Sequence, residues 1–362
     1  MNALRYAPFA WRALRSSGPP VHLTLFVTGA CNLRCRHCFH WKEVAAGVPG
    51  PSLGEIESLA ASAARMGPLL WVSLGGGEPF LRKDLAAIAR AFATRGLRHL
   101  AIPTNGLVEE RLEPFVREVL GAAPQLHLSV SVSFDGPPAI HDAIRAVRGG
   151  HARAQEAVRV LKRVQGQFPN LGVGLLVCLT RENQEVLADH AEELVRELRP
   201  DNLTINLARG TALDESLLAV DVARYEELVA RKLALQRAGV LPYFRFPLAR
   251  LAEARDELMY EHVARVARGE REPHLSCTAG SLSAVVFETG EVHPCEVLGQ
   301  SLGSLRETGW DLERVWNSPA ARELRRRIRD ERCRCTWECA QADNVLFRAR
   351  SWPALARRAL SR

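Results

Sequence analysis

His22-Leu-Thr-Leu-Phe-Val-Thr-Gly-Ala-Cys31-Asn-Leu-Arg-Cys35-Arg-His-Cys38 decides how the rest of the chain is read. An apolar run of strand length delivers the backbone straight into a loop that carries three thiols within eight residues. A cubane [4Fe–4S] cluster needs four ligands, so a loop with three cysteines leaves one iron open to a substrate or cofactor. The alternative is a three-Cys zinc site or a structural thiol cluster, although zinc knuckles usually pair two C-x2-C units or add a fourth ligand.

Outward from this loop, the strand-then-loop unit recurs. Strands are expected over 22–27, 70–74, 99–103, 126–134, 173–180 and 203–207, and amphipathic helices over 52–66, 81–95, 109–120, 152–165 and 184–198. Six repeats of strand then helix demand parallel pairing with right-handed crossovers, in a doubly wound sheet or a partial barrel. Gly, Asn, Asp or Arg follows nearly every strand, which favours the barrel, because barrels carry their chemistry at that rim. Helical stretches over 221–236 and 249–268 read as a connector closed by Pro273. Beyond it, apolar runs over 282–287 and 292–294 flank Thr289-Gly290, a hairpin signal, ahead of short helices over 311–316 and 319–329.

Three further motifs sit at strand ends: Ser73-Leu-Gly-Gly-Gly-Glu-Pro79, Pro103-Thr-Asn-Gly106 and Ser131-Val-Ser-Phe-Asp-Gly136, with Arg145 twelve residues past Ser133. Together with the cysteine loop they resemble the radical S-adenosylmethionine superfamily, whose signature is a C-x3-C-x-φ-C loop after strand one of a partial (β/α)6 barrel. The resemblance implies that Cys31, Cys35 and Cys38 hold a [4Fe–4S] cluster and that Gly76, Gly77, Glu78 and Pro79 lie at the methionine amino group of S-adenosylmethionine. Gly76 and Gly77 would let backbone approach the cofactor, and Glu78 reads as an orienting group rather than a base. Ser133 and Arg145 would hold the cofactor carboxylate, while Asn105 and Asp135 would face the ribose. Asn183 is a weaker match of the same kind, and His37 stands where the family often stacks Tyr or Phe near adenine. Such a site cleaves S-adenosylmethionine reductively to methionine and a 5′-deoxyadenosyl radical, which removes hydrogen from an unactivated carbon.

The remaining cysteines extend the resemblance. Cys277, then Gly290, then Cys295 fits the opening of the SPASM and twitch extensions, which bind auxiliary clusters around a hairpin. A full SPASM domain needs seven cysteines for two clusters. Only Cys277, Cys295, Cys333, Cys335 and Cys339 remain, enough for one auxiliary [4Fe–4S] cluster and one spare thiol. Cys333-x-Cys335 is tighter than the usual C-x2-C, which leaves open which of the last three ligate. Cys178, among Leu175, Leu176, Val177 and Leu179, reads as an ordinary buried residue. The expected organisation is a basic amphipathic extension over 1–20, the partial barrel over 21–212, the connector over 213–272, a twitch or truncated SPASM module over 273–340 and a basic tail over 341–362.

Composition narrows the class. With 47% hydrophobic and 25% charged residues in 362, collagen-like, mucin-like and wholly disordered chains are excluded. Residues 1–20 lack the marks of a signal peptide, and no window reaches about 18 uninterrupted apolar residues, so neither export nor membrane spanning is expected. The net charge of +7 resides in residues 321–362, with 12 Arg against 5 acids; the rest balances at 36 against 36. No zinc finger, helix-turn-helix or RNA-reading signature accompanies it, so no nucleic-acid partner is expected. The expected partners are a one-electron donor of flavodoxin or ferredoxin type and a substrate. That substrate is a ribosomally made peptide or, alternatively, a lipid, isoprenoid or other small molecule. Residues 4–14 and 345–360 mix aromatic and aliphatic side chains with Arg, so they suit either packing on the barrel or an anionic bilayer interface. The expected location is cytoplasmic, with peripheral contact at the inner membrane surface as an option. A non-catalytic iron–sulfur electron carrier or scaffold is the rival from another class.

Overall fold

The computed structural model describes residues 3–15, 18–244, 246–272 and 275–361; Pro273 lies outside them. After α1 (Ala7–Arg15), strands β1 (His22–Phe26), β2 (Trp71–Gly75), β3 (His99–Thr104), β4 (His127–Ser133), β5 (Leu171–Leu179) and β6 (Asn202–Leu207) each pair in parallel with the next. The crossovers are α2 (Trp41–Ala46) and α3 (Leu53–Met66), α4 (Leu85–Ala93), α5 (Leu112–Ala122), α6 (Pro138–Arg145) and α7 (Gly150–Gln165), and α8 (Leu187–Leu198). Helix α3 begins on a reciprocal cap, with Glu55 N–H donating to Ser52 Oγ and Ser52 N–H donating to Glu55 Oε2. The helix expected over 81–95 is interrupted. Arg82 stays extended, donates to the Val27 and Pro51 carbonyls and pairs with Asp84, so only a 3-10 turn precedes α4.

The strands alternate sharply. Leu23, Leu25, Val72, Leu74, Leu100, Ile102, Leu128, Val130, Val173, Leu175, Leu203 and Ile205 are buried against the outer helices, where the main core lies. The opposite face carries Thr24, Ser73, Ala101, Ser129, Ser131, Thr204 and Asn206, all half-buried. Parallel strands covered on both faces read as continuous apolar runs; here only one face is apolar and the inner face is small and polar. Cys178 pairs in register with Asn206 and belongs to this inner face, not to the apolar core among Leu175, Val177 and Leu179. At the N-terminal ends of the strands, His22, Trp71, His99 and His127 stand in register as a floor. Tyr6 Oη lies 2.9 Å from His99 Nε2, and Phe246 packs on His99 and His127.

The connector comprises α9 (Val222–Arg237) and α10 (Ala249–Ala267). The hairpin that follows, β7 (Ser283–Val286) and β8 (Glu291–His293), is not a free-standing unit: β7 pairs in parallel with β1, and β9 (Gly303–Ser304) closes the order β6-β5-β4-β3-β2-β1-β7-β8-β9. α11 (Leu312–Trp316) and α12 (Pro319–Asp330) then lead to α13 (Glu338–Phe347) and α14 (Trp352–Leu360). The basic C-terminal stretch is therefore packed helix over most of its length. Val345, Phe347 and Leu355 are buried, as is Phe9 of α1, while Trp11, Leu14 and Leu360 stay exposed. Among the described residues no helix is long and apolar enough to cross a membrane.

Helix α13 is anchored by buried polar contacts. Thr278 donates through both N–H and Oγ1 to Asn344 Oδ1, at 2.7 and 3.0 Å, and His22 Nδ1 lies 2.9 Å from Asp343 Oδ2. Asn344→Ala would strand two buried donors of Thr278, so we expect a loss of about 1–3 kcal/mol, read as a lower urea midpoint at unchanged slope.

Candidate functional site

At the C-terminal rim of β1 to β4 lies a cavity of about 380 Å³. Cys31, Cys35 and Cys38 line it together with Gly76, Gly77, Glu78, Pro79, Asn105, Ser133 and Arg145. His37, Asp135 and Asn183, expected from the sequence at the same site, do not line it. Trp41 does, and its buried indole N–H has no partner among the described residues. The flat ring at this cavity is therefore Trp41, three residues past the last cysteine of the loop.

The 28–38 loop, which carries the three cysteines, is held by the backbone of residues 76–78. Gly77 N–H donates to the Thr28 carbonyl at 2.7 Å and Glu78 N–H to the Ala30 carbonyl at 2.8 Å. A Cβ on Gly76, which has φ +131°, would stand 2.3 Å from the Thr28 oxygen, and one on Gly77 would stand 2.1 Å from the Ala30 oxygen. The glycines thus serve the approach of one loop to the other, a reason distinct from access to a cofactor. Glu78 is buried and accepts from Phe80 N–H, Thr104 Oγ1 and Asn105 N–H at 3.1, 2.9 and 2.8 Å. Burial raises its pKa against these donors, and every short contact it makes orients the rims of β2 and β3. Asn105 Nδ2 continues the chain to Asn32 Oδ1 of the 28–38 loop, at 2.7 Å.

Asp135 and Asn183 act one layer beneath the cavity. Arg145, at the end of α6, donates from Nε to Asp135 Oδ2 at 2.8 Å, and its Nη groups have no protein hydrogen bond among the described residues. Asp135 also accepts from Cys178 N–H at Oδ1, and Asn183 Nδ2 donates to the Asp135 and Cys178 carbonyls at 3.0 and 2.9 Å. His37 Nε2 stands 3.9 Å from Asp135 Oδ2. Burial opposes both charges of the Arg145–Asp135 pair, but their mutual attraction wins, so the guanidinium pKa is raised and the carboxyl pKa lowered. Burial pushes the Cys35 thiol up to about 12, so binding of a metal there must displace a proton.

A second thiol group gathers in the C-terminal module. Cys277 and Cys333 stand next to each other, and Cys335 lies within electrostatic reach of Cys277, Cys295 and Cys333. Gln341 Nε2 donates to the Cys335 carbonyl at 2.6 Å and stands 3.8 Å from its sulfur. Cys339 has different surroundings: Glu296, Arg209, Glu338 and Asp343. Arg209 stacks on Trp337 and pairs with Glu338, whose Oε1 accepts from Leu207 N–H at 2.8 Å. Among the described residues no three His, Cys, Asp or Glu side chains close on one point as a single metal ion requires.

Three thiols on a barrel rim beside a glycine-backed cavity, with more thiols in a module on the same sheet, fit an iron–sulfur site with a small cofactor beside its cluster. Comparison with known proteins agrees. The model of the radical SAM superfamily matches residues 25–194, and that of the SPASM iron–sulfur cluster-binding domain matches residues 277–340. The AdoMet-dependent heme synthase of Methanosarcina barkeri is 26% identical, over 84% of this chain and 83% of its own. The PqqA peptide cyclase of Rhodopseudomonas palustris is 30% identical over 52% and 47%. The solved structure of native anSMEcpe with bound AdoMet and Cp18Cys peptide superposes with a TM-score of 0.62 at 17% identity, covering 95% of this chain and 99% of that one. This chain belongs to the radical S-adenosylmethionine superfamily, in its SPASM-bearing subgroup. It is a radical SAM enzyme whose cofactors are a [4Fe–4S] cluster, S-adenosylmethionine and an auxiliary iron–sulfur cluster.

Two outcomes follow from this geometry. Gly77→Ala drives a Cβ into the Ala30 carbonyl, so we expect the reconstituted variant to lose about half its iron, by colorimetric assay, because only the three-Cys site is disturbed. The second concerns acid. Asp135 N–H donates to His141 Nδ1 at 3.1 Å, and burial holds the His141 pKa down to about 3. The unfolded chain takes up that proton near the ordinary imidazole value of about 6.5, so the stability contributed is complete above that value and falls as pH drops toward about 3. Urea midpoints of the cluster-free protein should decline from pH 7 to pH 4.5, and less steeply in His141→Asn.

Proposed function

We propose that this enzyme binds S-adenosylmethionine in the cavity between Cys31 and Arg145 and abstracts hydrogen from a side chain of a ribosomally made peptide. The observation that carries the cofactor assignment is that one cavity unites three thiols, the 75–79 backbone and the unpaired Nη groups of Arg145. Cys31, Cys35 and Cys38 hold the cluster, which when bound supplies the one electron that cleaves the cofactor into methionine and a hydrogen-abstracting radical. Arg145 presents two N–H groups to the cofactor carboxylate, a charge-assisted and planar match. Ser133 adds a hydroxyl, and the 75–79 backbone faces the amino group. Trp41 offers a ring face and an N–H to the adenine. Asp135, Asn183 and His37 position Arg145. Cys277, Cys295, Cys333 and Cys335 hold the auxiliary cluster, with Cys339 outside it.

The peptide reading has three supports. One relative is a peptide cyclase by name. The solved structure of like fold that holds a peptide covers almost all of this chain, so a peptide is a ligand this fold can take. The inner face of the barrel offers hydroxyl and amide groups at Thr24, Ser73, Ser129, Ser131, Thr204 and Asn206, which suit main-chain amides and penalise a buried alkyl chain. A second reading, a heme-type substrate, is favoured by the heme synthase match across more than four-fifths of both chains.

Anaerobic assays separate these. The dithionite-reduced enzyme should form 5′-deoxyadenosine slowly unaided. Among synthetic copies of short peptides encoded by adjoining reading frames one should raise that rate, and a heme precursor should not; the opposite pattern moves the assignment to the second reading. Iron should amount to about eight per chain, halved in Cys335→Ala and unchanged in Cys339→Ala. Asp135→Asn should weaken S-adenosylmethionine binding about tenfold at full iron content, because it unseats Arg145 without removing a ligand.

A further inference from the structure

A second cavity, of about 420 Å³, opens at the surface of the C-terminal module, and Cys333 is part of its wall. None of the other three thiols assigned to the auxiliary cluster lines it. Its rim is Arg327, Arg332 and Arg334 with Glu270 and Glu331, all exposed. The rim belongs to a larger basic face. From residue 322 to residue 334 the chain carries seven Arg against Glu323, Asp330 and Glu331, a net charge of +4. Helix α12 buries Ala321, Leu324 and Ile328 and so turns most of its arginines outward. Arg326, Arg329 and Arg332 have side chains 58%, 66% and 59% exposed.

This charge does not serve to neutralise the auxiliary site. Cations from other segments already stand beside its thiols: Arg209 donates to the Thr336 carbonyl at 3.4 Å, and Arg348 donates from Nε and Nη2 to the Ser276 and Cys277 carbonyls at 2.8 and 2.7 Å. Nor does it balance itself. Glu323, Asp330 and Glu331 pair with Arg326, Arg329 and Arg327, and Glu272 reaches Arg332. Counting Glu270, Arg271 and Glu272 with the stretch still leaves an excess of +3. An exposed excess of one sign beside an auxiliary thiol that lines a surface cavity matches a partner of opposite sign that exchanges electrons.

We infer that an acidic one-electron carrier protein docks on the α12 face and passes its electron to the auxiliary cluster through the Cys333 side. The inference rests on the assignment of Cys277, Cys295, Cys333 and Cys335 to that cluster. One electron leaves the reduced carrier, which is oxidised by one equivalent, and the cluster is reduced by one; no bond or proton changes hands. Such encounters use small, weak interfaces, and steering by charge makes them fast at low salt and slow at high salt.

The test uses the full chain with both clusters and a bacterial flavodoxin, reduced to its hydroquinone, as the probe. The variant is Arg326→Glu/Arg329→Glu/Arg332→Glu, with Arg326→Gln/Arg329→Gln as a milder form should the first fold poorly. At about 20 mM salt we expect the charge reversal to weaken flavodoxin binding, and to slow cluster bleaching by flavodoxin, at least about tenfold, a gap that closes as salt rises. Reduction by dithionite, which needs no docking, should be unchanged. Equal binding and equal bleaching rates in wild type and variants overturn the inference. So does a face that binds anionic vesicles or duplex DNA while flavodoxin is unaffected by the substitutions. Failure of the underlying assignment has a separate signature: Cys333→Ala would then keep its full iron content.

Discussion

The structure depends on the contact between two loops that follow adjacent parallel strands. The 28–38 loop leaves β1, the 75–79 loop leaves β2, and two backbone hydrogen bonds join them where no Cβ fits. In a parallel sheet such neighbours meet at the same rim, so the topology brings cysteines and glycines together without any long-range device. From that seam order spreads sideways: Glu78 ties β2 to β3, Asn105 ties β3 back to the cluster loop, and Asp135 with Asn183 ties β4 to β5 beneath Arg145. Buried carboxylates and amides offset their desolvation by accepting and donating several bonds each. The rim is therefore a connected polar network rather than a set of separate side chains.

The same division of labour governs the interior. Leucines and valines on the outward face carry the packing with the helices, so the inward face is free to be small and polar. A floor of His22, Trp71, His99 and His127 closes one end, and the thiol-lined cavity lies at the other. Because β7 pairs with β1, and α13 is fastened to β1 through Asp343 and to β6 through Glu338, the thiols of the module and those of the barrel are parts of one scaffold.

Much of this was legible in the sequence because spacing along a chain that alternates strand and helix maps directly to position on a rim. The cysteine loop, the 73–79 motif, Ser133 and Arg145 all fall where their order predicts. What spacing does not encode is the direction of a side chain past the strand end. His37 and Trp41 both lie near the cysteines and both are flat, yet the loop turns His37 down toward Asp135 and Trp41 onto the cavity. Asn183 and Asp135 look like ligand-facing polar residues until their partners are seen to be carbonyls and a guanidinium. Cys178 sits in an apolar run, but the two-residue period of a strand sets it on the face opposite Val177 and Leu179, so it lies with Asn206 on the inner side. The separation of Cys339 from Cys333 and Cys335 depends on where α13 begins. Cys339 lies within that helix, which carries it toward Arg209, whereas the two earlier cysteines precede it.

Arginine is used in two ways that net charge conflates. Arg145 and Arg209 are held inside by carboxylates and Arg348 by carbonyls, and all three stand near thiols, so their desolvation is offset locally. The exposed arginines of α12 face water, where ion pairs contribute little to stability and a local excess acts chiefly on what approaches. Residues 322–334 thus carry +4 of the chain's +7 on one surface, next to one thiol, and the consequence of that local excess lies in association rather than in folding.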